Sequence, residues 1–233
     1  MSDLEKLIQL QEAGNRIVGN VRKKIIGQTS VVEELLIAIF AGGHVLLTGV
    51  PGLAKTLMIT TLAQSMDLVF RRIQFTPDLM PSDIIGTEIL ELNRSTGEKE
   101  LKFIKGPVFA NIILADEINR TPPKTQSALL QAMQEKEVSV GNTTFRLSEP
   151  FFVMATRNPI EQEGTYPLPE AQLDRFLFNL IIDYPDLDSE IEIVEKTTAQ
   201  EETAVDKVID GLEIMNFREL IRKIPVTRAV TEY

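Results

Sequence analysis

A short run near residue 50 carries the residue types that hold phosphate groups. The run is GVPGLAKT (49–56), and it matches the pattern G-x-x-x-x-G-K-[ST] except at Ala54. In such a loop, backbone N–H groups point at phosphate oxygens, Lys55 supplies a positive charge, and the Thr56 hydroxyl is a ligand for Mg²⁺. The flanks fit, because an apolar strand pattern (45–47) precedes the loop and a helical pattern (57–66) follows it.

Ala54 stands where the pattern has its second glycine. Alanine is the next smallest side chain, so the backbone can still approach a phosphate if its dihedral angles stay in an allowed region. The alternative interpretation is an apolar strand followed by an ordinary Pro-Gly turn. Because the loop alone leaves both open, the other half of a phosphate site must decide between them.

Two adjacent carboxylates follow the next strongly apolar run. Residues 112–115 predict a strand buried on both faces, and Asp116 and Glu117 come directly after it. That is the end of a strand at which open α/β sheets bind ligands. Neighbouring side chains point different ways, so Asp116 can hold the Mg²⁺ shell while Glu117 orients and polarises an attacking water. A helix cap or a solvent-facing pair is the alternative, and the nearby loop pattern favours the site.

Three further polar residues are candidates with weaker signals. Asn158 follows the apolar run 151–155 and can reach a terminal phosphate or the attacking water, although Asn-Pro is also a common turn signal. Arg175 precedes the last apolar run and can form either a surface ion pair or a contact with phosphate on a neighbouring subunit. His44, the sole histidine, opens the first strand beside two glycines, and we expect a structural role for it.

Composition and charge narrow the class of protein. The chain has 233 residues, 43% of them hydrophobic and 25% charged, which fits one large domain or a domain plus part of another. It has no cysteine, so disulfides and thiol chemistry are excluded and a reducing compartment fits. The net charge of −10 leaves no broad basic face for nucleic acid. Eleven acidic residues fall between Asp183 and Glu213, where we expect a solvated helical face.

The sequence predicts no membrane span and no signal peptide. The most apolar stretch (35–50) is interrupted by Gly42-Gly43-His44 and is shorter than the ~20 residues that a span needs. Asp3 and Glu5 stand where a signal peptide carries basic residues. These features together indicate a cytoplasmic protein.

Strand and helix patterns alternate along the chain, which predicts a largely parallel sheet with helices on both faces. One helix is expected from Ser30, with Glu33 as its capping-box partner, and another over 122–134 with proline at its start. Two hairpins interrupt this plan, one turning at Ser95-Thr96-Gly97 and one at Gly141-Asn142. The expected strands are 45–47, 68–74, 112–115, 151–155 and 176–182, and all of them except 68–74 are expected to be buried.

Longer motifs resemble those of MoxR-type AAA+ ATPases over about residues 4–200. They are GHVLL (43–47) leading into GVPGLAKT (49–56), TPDLMPSDIIGT (76–87), GPVF (106–109), DEINRTPPKTQSALLQAMQE (116–135) and EAQLDRF (170–176). Alanine is the usual residue of this family at position 54, which resolves the departure in the loop. Arg157 is a departure, because the family usually carries glutamine before the asparagine called sensor 1.

The resemblance implies a fold and a domain organisation. The fold is an α/β P-loop AAA+ core with a parallel five-stranded sheet, helices on both faces and two β-hairpin insertions, followed by an α-helical lid. The core would cover 1–187, with the helix-2 insert at about 86–104 and the hairpin before sensor 1 at about 138–147. Residues 188–233 would form the start of the lid, and the lid would be truncated, since the family's sensor-2 arginine lies further along.

The resemblance also implies ligands and residue roles. ATP and Mg²⁺ would be the ligands, with Thr56 and Asp116 on the metal. Glu117, Asn158 and Arg175 would be catalytic, and Arg175 would act on ATP held by the neighbouring subunit. The implied ATP-binding residues are Gly49, Val50, Pro51, Gly52, Leu53, Ala54, Lys55, Thr56, Leu57 and Asp116.

Partners and activity follow from the same resemblance. The family forms rings, usually hexameric, and uses ATP hydrolysis for chaperone-like remodelling of client proteins, often with a partner that carries a von Willebrand factor A domain. One alternative is a nucleotide-gated protein-binding module with little turnover. Another is a related helix-2-insert enzyme, either a helicase, which the surface charge disfavours, or the ATPase subunit of a magnesium chelatase.

Overall fold

A five-stranded parallel sheet forms the centre of the protein. The computed structural model describes residues 3–92, 99–160, 164–198 and 204–232. The sheet strands are β1 His44–Thr48, β2 Phe70–Gln74, β5 Ile112–Asp116, β8 Phe152–Arg157 and β9 Phe176–Ile181. Their order is β2-β5-β8-β1-β9, and every neighbouring pair is parallel. The carboxyl ends of all five strands therefore meet at one edge of the sheet, as the predicted α/β fold requires.

Helices and two hydrophobic clusters cover the sheet. Neighbouring residues of one strand contribute to different clusters, because successive side chains of a strand point to opposite faces. Leu47 of β1 packs in one cluster and Leu46 in the other. The helices are α1 Asp3–Lys24, α2 Thr29–Ala41, α3 Lys55–Ser65, α4 Pro81–Ile85, α5 Pro123–Glu135, α6 Glu170–Leu173, α7 Leu187–Thr198, α8 Gly211–Ile221 and α9 Arg228–Glu232, with a 3₁₀ turn at Ile118–Arg120.

The position of a strand in the sheet decides its burial. The apolar residues of β5, a central strand, are buried on both faces, as predicted. The prediction of a buried strand at 176–182 is wrong, because β9 lies at the edge of the sheet and leaves Leu177 and Ile181 exposed. Apolar residues on an edge strand resemble those of a central strand in sequence, and only the strand order separates them.

The start of α2 also differs from its prediction. The helix begins at Thr29 with Gln28 as its N-cap residue, and no side chain caps it, so the Ser30–Glu33 capping box is wrong. Gly27 has a φ of 76°, a conformation that favours glycine, and the turn there brings the chain into the helix one residue early. The buried face of this helix includes Val32, Leu35, Leu36 and Ile39.

Two antiparallel hairpins project from this layer structure, as predicted. One pairs β3 Gly86–Leu92 with β4 Lys99–Lys105, and the other pairs β6 Glu137–Val140 with β7 Thr143–Arg146. The predicted turn at 95–97 lies outside the described residues. The Phe103 and Phe145 rings stack with centroids 4.4 Å apart, and Phe109 meets both rings edge-on. The two hairpins therefore pack against each other through aromatic side chains.

The segment after β9 contains one exposed helix and one packed helix. Of the α7 side chains that the structure describes, none is buried, as expected for a solvated acidic helix. α8 instead packs against α1 and α2, and its Ile214 and Phe217 belong to the same cluster as the first three helices. Arg218 donates from Nε and Nη2 to the carbonyl oxygen of Ile39 at 2.9 and 2.6 Å. In the part of the chain that the structure describes, no helix is long and apolar enough to cross a membrane.

Candidate functional site

A cavity of about 580 Å³ opens at the carboxyl edge of the sheet. The ends of β1, β5 and β8 deliver the loop, the two carboxylates and Asn158 to this one cavity, because parallel neighbouring strands end side by side. Of the predicted run 49–57, every residue except Val50 lines it. The lining residues are Gly49, Pro51, Gly52, Leu53, Ala54, Lys55, Thr56, Leu57, Arg72, Gln74, Asp116, Glu117, Thr156 and Asn158.

The loop backbone requires small residues at defined points. Gly52 has a φ of 89°, and a Cβ atom at Gly49 would lie 2.7 Å from the carbonyl oxygen of Ile182. Ala54 is the N-cap residue of α3 with φ 52° and ψ 22°, in the left-handed region. Non-glycine residues seldom adopt this conformation, but alanine can enter it. The loop therefore leads directly into the positive end of an 11-residue helix, a common arrangement for binding an anion.

Lys55 is the first residue of this helix, and its amine folds back onto the loop. Its Nζ donates to the carbonyl oxygen of Gly49 at 2.6 Å. Burial lowers the pKa of Lys55, and the nearby carboxylates Asp116 and Glu117 act in the opposite direction. A partly buried ammonium beside loop N–H groups favours an anionic ligand, since phosphate oxygens would replace the water that burial removes.

Asp116 is held by two neighbouring strands. Thr156 of β8 donates from Oγ1 to Oδ1 of Asp116 at 2.6 Å. Arg72 of β2 donates to Oδ2 from Nη2 at 2.5 Å and from Nε at 3.2 Å. The carboxylate is 18% exposed and faces the cavity, so it can exchange the Arg72 contact for a cation.

Glu117 points away from Asp116, as the sequence predicts for adjacent residues. Its backbone has a φ of 58°, and its N–H donates to Oγ1 of Thr156 at 2.9 Å. Gln74 Nε2 and Arg120 Nη1 both donate to Oε2 of Glu117 at 2.8 Å. These contacts fix the carboxylate through one oxygen, and the other oxygen can accept a proton or orient a water.

Asn158 and Arg175 occupy different places. Asn158 is buried and lines the cavity, and its Oδ1 accepts a hydrogen bond from the backbone N–H of Ile160 at 3.1 Å. Arg175 precedes β9 and is not among the described lining residues of the cavity. Within the described ranges, its side chain has no hydrogen bond or ion pair with any other residue. The structure therefore brings together the predicted loop, the carboxylate pair and Asn158, but not Arg175.

Four residues of this network were not predicted: Arg72, Gln74, Arg120 and Thr156. β2 pairs with β5 in a register that places Gln74 beside Asp116, so its polar residues reach the carboxylates. The sequence shows Arg72 and Gln74 at the end of the 68–74 pattern and Arg120 after the carboxylates. Their role in the site depends on the strand order, which the sequence pattern does not give.

The donor set fits a nucleoside triphosphate with Mg²⁺. Magnesium prefers oxygen ligands and is held in such sites by one or two protein groups plus phosphate oxygens. The Thr56 hydroxyl and the Asp116 carboxylate both line the cavity and are such groups. The loop N–H groups and Lys55 supply the positive charge that phosphates need. These residues could hold a metal–phosphate ligand.

Comparisons with known proteins agree with this geometry. The model of the ATPase family associated with various cellular activities (AAA) matches residues 44–178. Chaperone MoxR1 of Mycobacterium tuberculosis is 48% identical over 218 residues, which cover 94% of this chain and 56% of that protein. Protein MoxR of Methylorubrum extorquens is 34% identical over 185 residues, which cover 77% of this chain and 52% of that protein. The chain thus spans about half the length of these relatives.

A solved structure extends the agreement to the fold. The crystal structure of a candidate ATPase from Cytophaga hutchinsonii superposes with a TM-score of 0.85 and 49% sequence identity. The match covers 99% of this chain and 68% of that one. The family model, the relatives and the loop-and-carboxylate cavity agree, and the chain belongs to the MoxR-type AAA+ ATPases.

Proposed function

We propose that the chain binds ATP with Mg²⁺ in the cavity at the end of the sheet and hydrolyses it. The observation that carries the proposal is the meeting of the phosphate loop, Asp116, Glu117 and Asn158 around one cavity of about 580 Å³. If these residues had only structural roles, polar and charged groups from the ends of three strands would not need to face the same space. The AAA family match supports the same activity.

Binding would rest on the loop and the first carboxylate. The backbone N–H groups of 52–57 would surround the phosphates, since Pro51 has no N–H and that of Gly49 donates to Arg157. Lys55 would leave the Gly49 carbonyl to contact the outer phosphates. Thr56 and Asp116 would hold Mg²⁺, and Asp116 would then give up Arg72 at Oδ2. When bound, the metal neutralises charge that develops on the phosphate oxygens.

Hydrolysis would rest on Glu117 and Asn158. Gln74 and Arg120 hold Oε2 of Glu117, so Oε1 is the atom that would accept a hydrogen bond from the attacking water. Asn158 would reach the terminal phosphate or that water with its amide group. Hydrogen bonds that hold both groups in place before the reaction lower the cost of ordering them in the transition state.

Arg175 would act between subunits. It lies outside its own cavity and has no partner side chain in the described part of the chain, so it can reach phosphate bound to a neighbour. This role requires a homo-oligomeric ring, which we propose to be hexameric. Arginine supplied in trans places positive charge where the transition state becomes negative.

The proposed task is ATP-driven remodelling of protein complexes. One relative is named a chaperone, which supports a protein client. Because proteins of this family often work with a partner that carries a von Willebrand factor A domain, we propose such a partner for this chain. We also propose the division into an ATPase core, 1–187, and a lid segment, 188–233. α8 lies in the second unit yet packs on α1 and α2 of the first, which would tie the lid to the core.

A direct binding experiment tests the proposal. Titration of the chain with Mg-ATP should give saturable binding, and Lys55→Ala should abolish it, because the buried phosphate charge loses its counter-charge. Lys6→Ala is the matched control, since Lys6 is exposed on α1. Unchanged ATP affinity in Lys55→Ala would contradict the proposed site.

A further inference from the structure

The strands β1 and β8 separate at the edge of the cavity. Their last paired residues are Thr48 and Arg157. One residue later, Gly49 begins the phosphate loop and Asn158 turns into the cavity wall. The N–H of Gly49 still donates to the carbonyl oxygen of Arg157, at 3.3 Å. The relative position of loop and Asn158 is therefore set at this last pair of the ladder.

A side-chain hydrogen bond links the two strands where they separate. Nε of Arg157 donates to Oγ1 of Thr48 at 2.7 Å. The same hydroxyl donates to Oδ1 of Asn179 at 2.9 Å, so β8, β1 and β9 are linked in a row. Because the single proton of the Thr48 hydroxyl is used toward Asn179, the group at position 157 must be a donor.

We propose that Arg157 is a positioning residue, whose Nε–Thr48 hydrogen bond holds Asn158 against the phosphate loop. Arg157 is not among the described lining residues of the cavity, so it would act through its neighbour and not on the nucleotide itself. The inference rests on the proposed ATPase function and assigns a role to Arg157, where the resemblance to the family leads us to expect glutamine. The donor at Nε carries that role, and the positive charge does not.

Substitutions can separate the donor from the charge. Glutamine places its Nε2 as many bonds from Cα as arginine places Nε, so Arg157→Gln keeps the donor and removes the charge. Arg157→Met keeps the side chain as far as the Nε position and removes both. Thr48→Val removes the acceptor with little change in shape, and also removes the donor to Asn179. If the bond matters, Arg157→Met should lower kcat when Thr48 is present and should have no further effect when combined with Thr48→Val.

The experiment measures kcat, the ratio of ATP to ADP affinity and the melting temperature of these variants in the assembled protein. Arg157→Met should lower kcat about tenfold, because a small misplacement of a positioned group is costly. It should also lower the ratio of ATP to ADP affinity, because Asn158 would contact the terminal phosphate, which ADP lacks. Arg157→Gln should stay within about twofold of wild type in both. In the Asn158→Ala background, Arg157→Met should have no further effect, since Arg157 acts through Asn158.

Two results would overturn the inference. One is a loss in Arg157→Gln as large as in Arg157→Met. The other is a wild-type kcat and affinity ratio in Arg157→Met, whether or not its melting temperature falls. A wild-type chain that binds ATP but does not turn it over contradicts hydrolysis, and the affinity ratio then decides on Arg157. A chain that binds no ATP would overturn both proposals.

Discussion

At the residue scale, His44 shows how the core holds the site in place. Its Nδ1 accepts a hydrogen bond from the N–H of Val153 at 3.0 Å, and its Nε2 lies 3.3 Å from the carbonyl oxygen of Met133. Because the first contact needs an acceptor, the proton of the neutral ring lies on Nε2. The histidine therefore joins β1, β8 and α5, which agrees with the structural role expected from the sequence.

Protonation of His44 should destabilise the fold. Burial lowers the pKa of His44 from 6.5 to about 4, so between these pH values the unfolded chain binds the extra proton and the folded chain does not. Stability should therefore fall as the pH drops from 6.5 to 4, by about 3 kcal/mol from this residue, at about 1.4 kcal/mol per pKa unit.

The measurement is the free energy of unfolding of wild type and His44→Gln between pH 7 and pH 4. Other groups titrate in the same range, so the difference between the two proteins is the relevant quantity. That difference should shrink by about 3 kcal/mol toward pH 4. A constant difference across the range would show that His44 is not neutral in the folded state.

At the element scale, the strand order completes the site. The loop, the carboxylate pair and Asn158 could be predicted, because each stands at the end of a pattern that is readable in the chain itself. Arg72 could not be assigned, because it reaches Asp116 only through the pairing of β2 with β5. For the same reason the exposure of β9 was missed, since burial of a strand depends on its neighbours.

The two hairpins should be energetically coupled through their aromatic contact. Phe103 of β4 stacks on Phe145 of β7 at 4.4 Å, and such pairs contribute about 1 kcal/mol beyond their burial. A double-mutant cycle with Phe103→Leu and Phe145→Leu, measured by urea unfolding, should give a coupling of about this size. Phe145→Leu with Phe217→Leu is the control, because Phe217 packs against Phe40 in the other cluster and the two changes should add. Additivity in both cycles would mean that the hairpins are independent.

At the scale of the whole molecule, turnover should depend on assembly. If Arg175 completes the site of a neighbour, a dilute chain binds ATP but hydrolyses it slowly, since a trans arginine contributes about 10³–10⁵ in kcat. Turnover per subunit should rise with protein concentration until rings form. Arg175→Ala should flatten that rise, whereas Arg16→Ala, on the exposed face of α1, should not. Fast turnover that does not depend on concentration, in a proven monomer, would rule out the trans role.

The central claim is that this cavity hydrolyses ATP and does not merely bind it. The most direct test compares Glu117→Gln with wild type at the protein concentration where turnover is highest, with Glu12→Gln, an exposed position on α1, as the control. The amide keeps the shape and the hydrogen bonds to Oε2 become weaker, but the base is removed. ATP affinity should stay within about threefold, while single-turnover hydrolysis falls by about 10²–10⁴. A wild-type rate in Glu117→Gln would contradict the account.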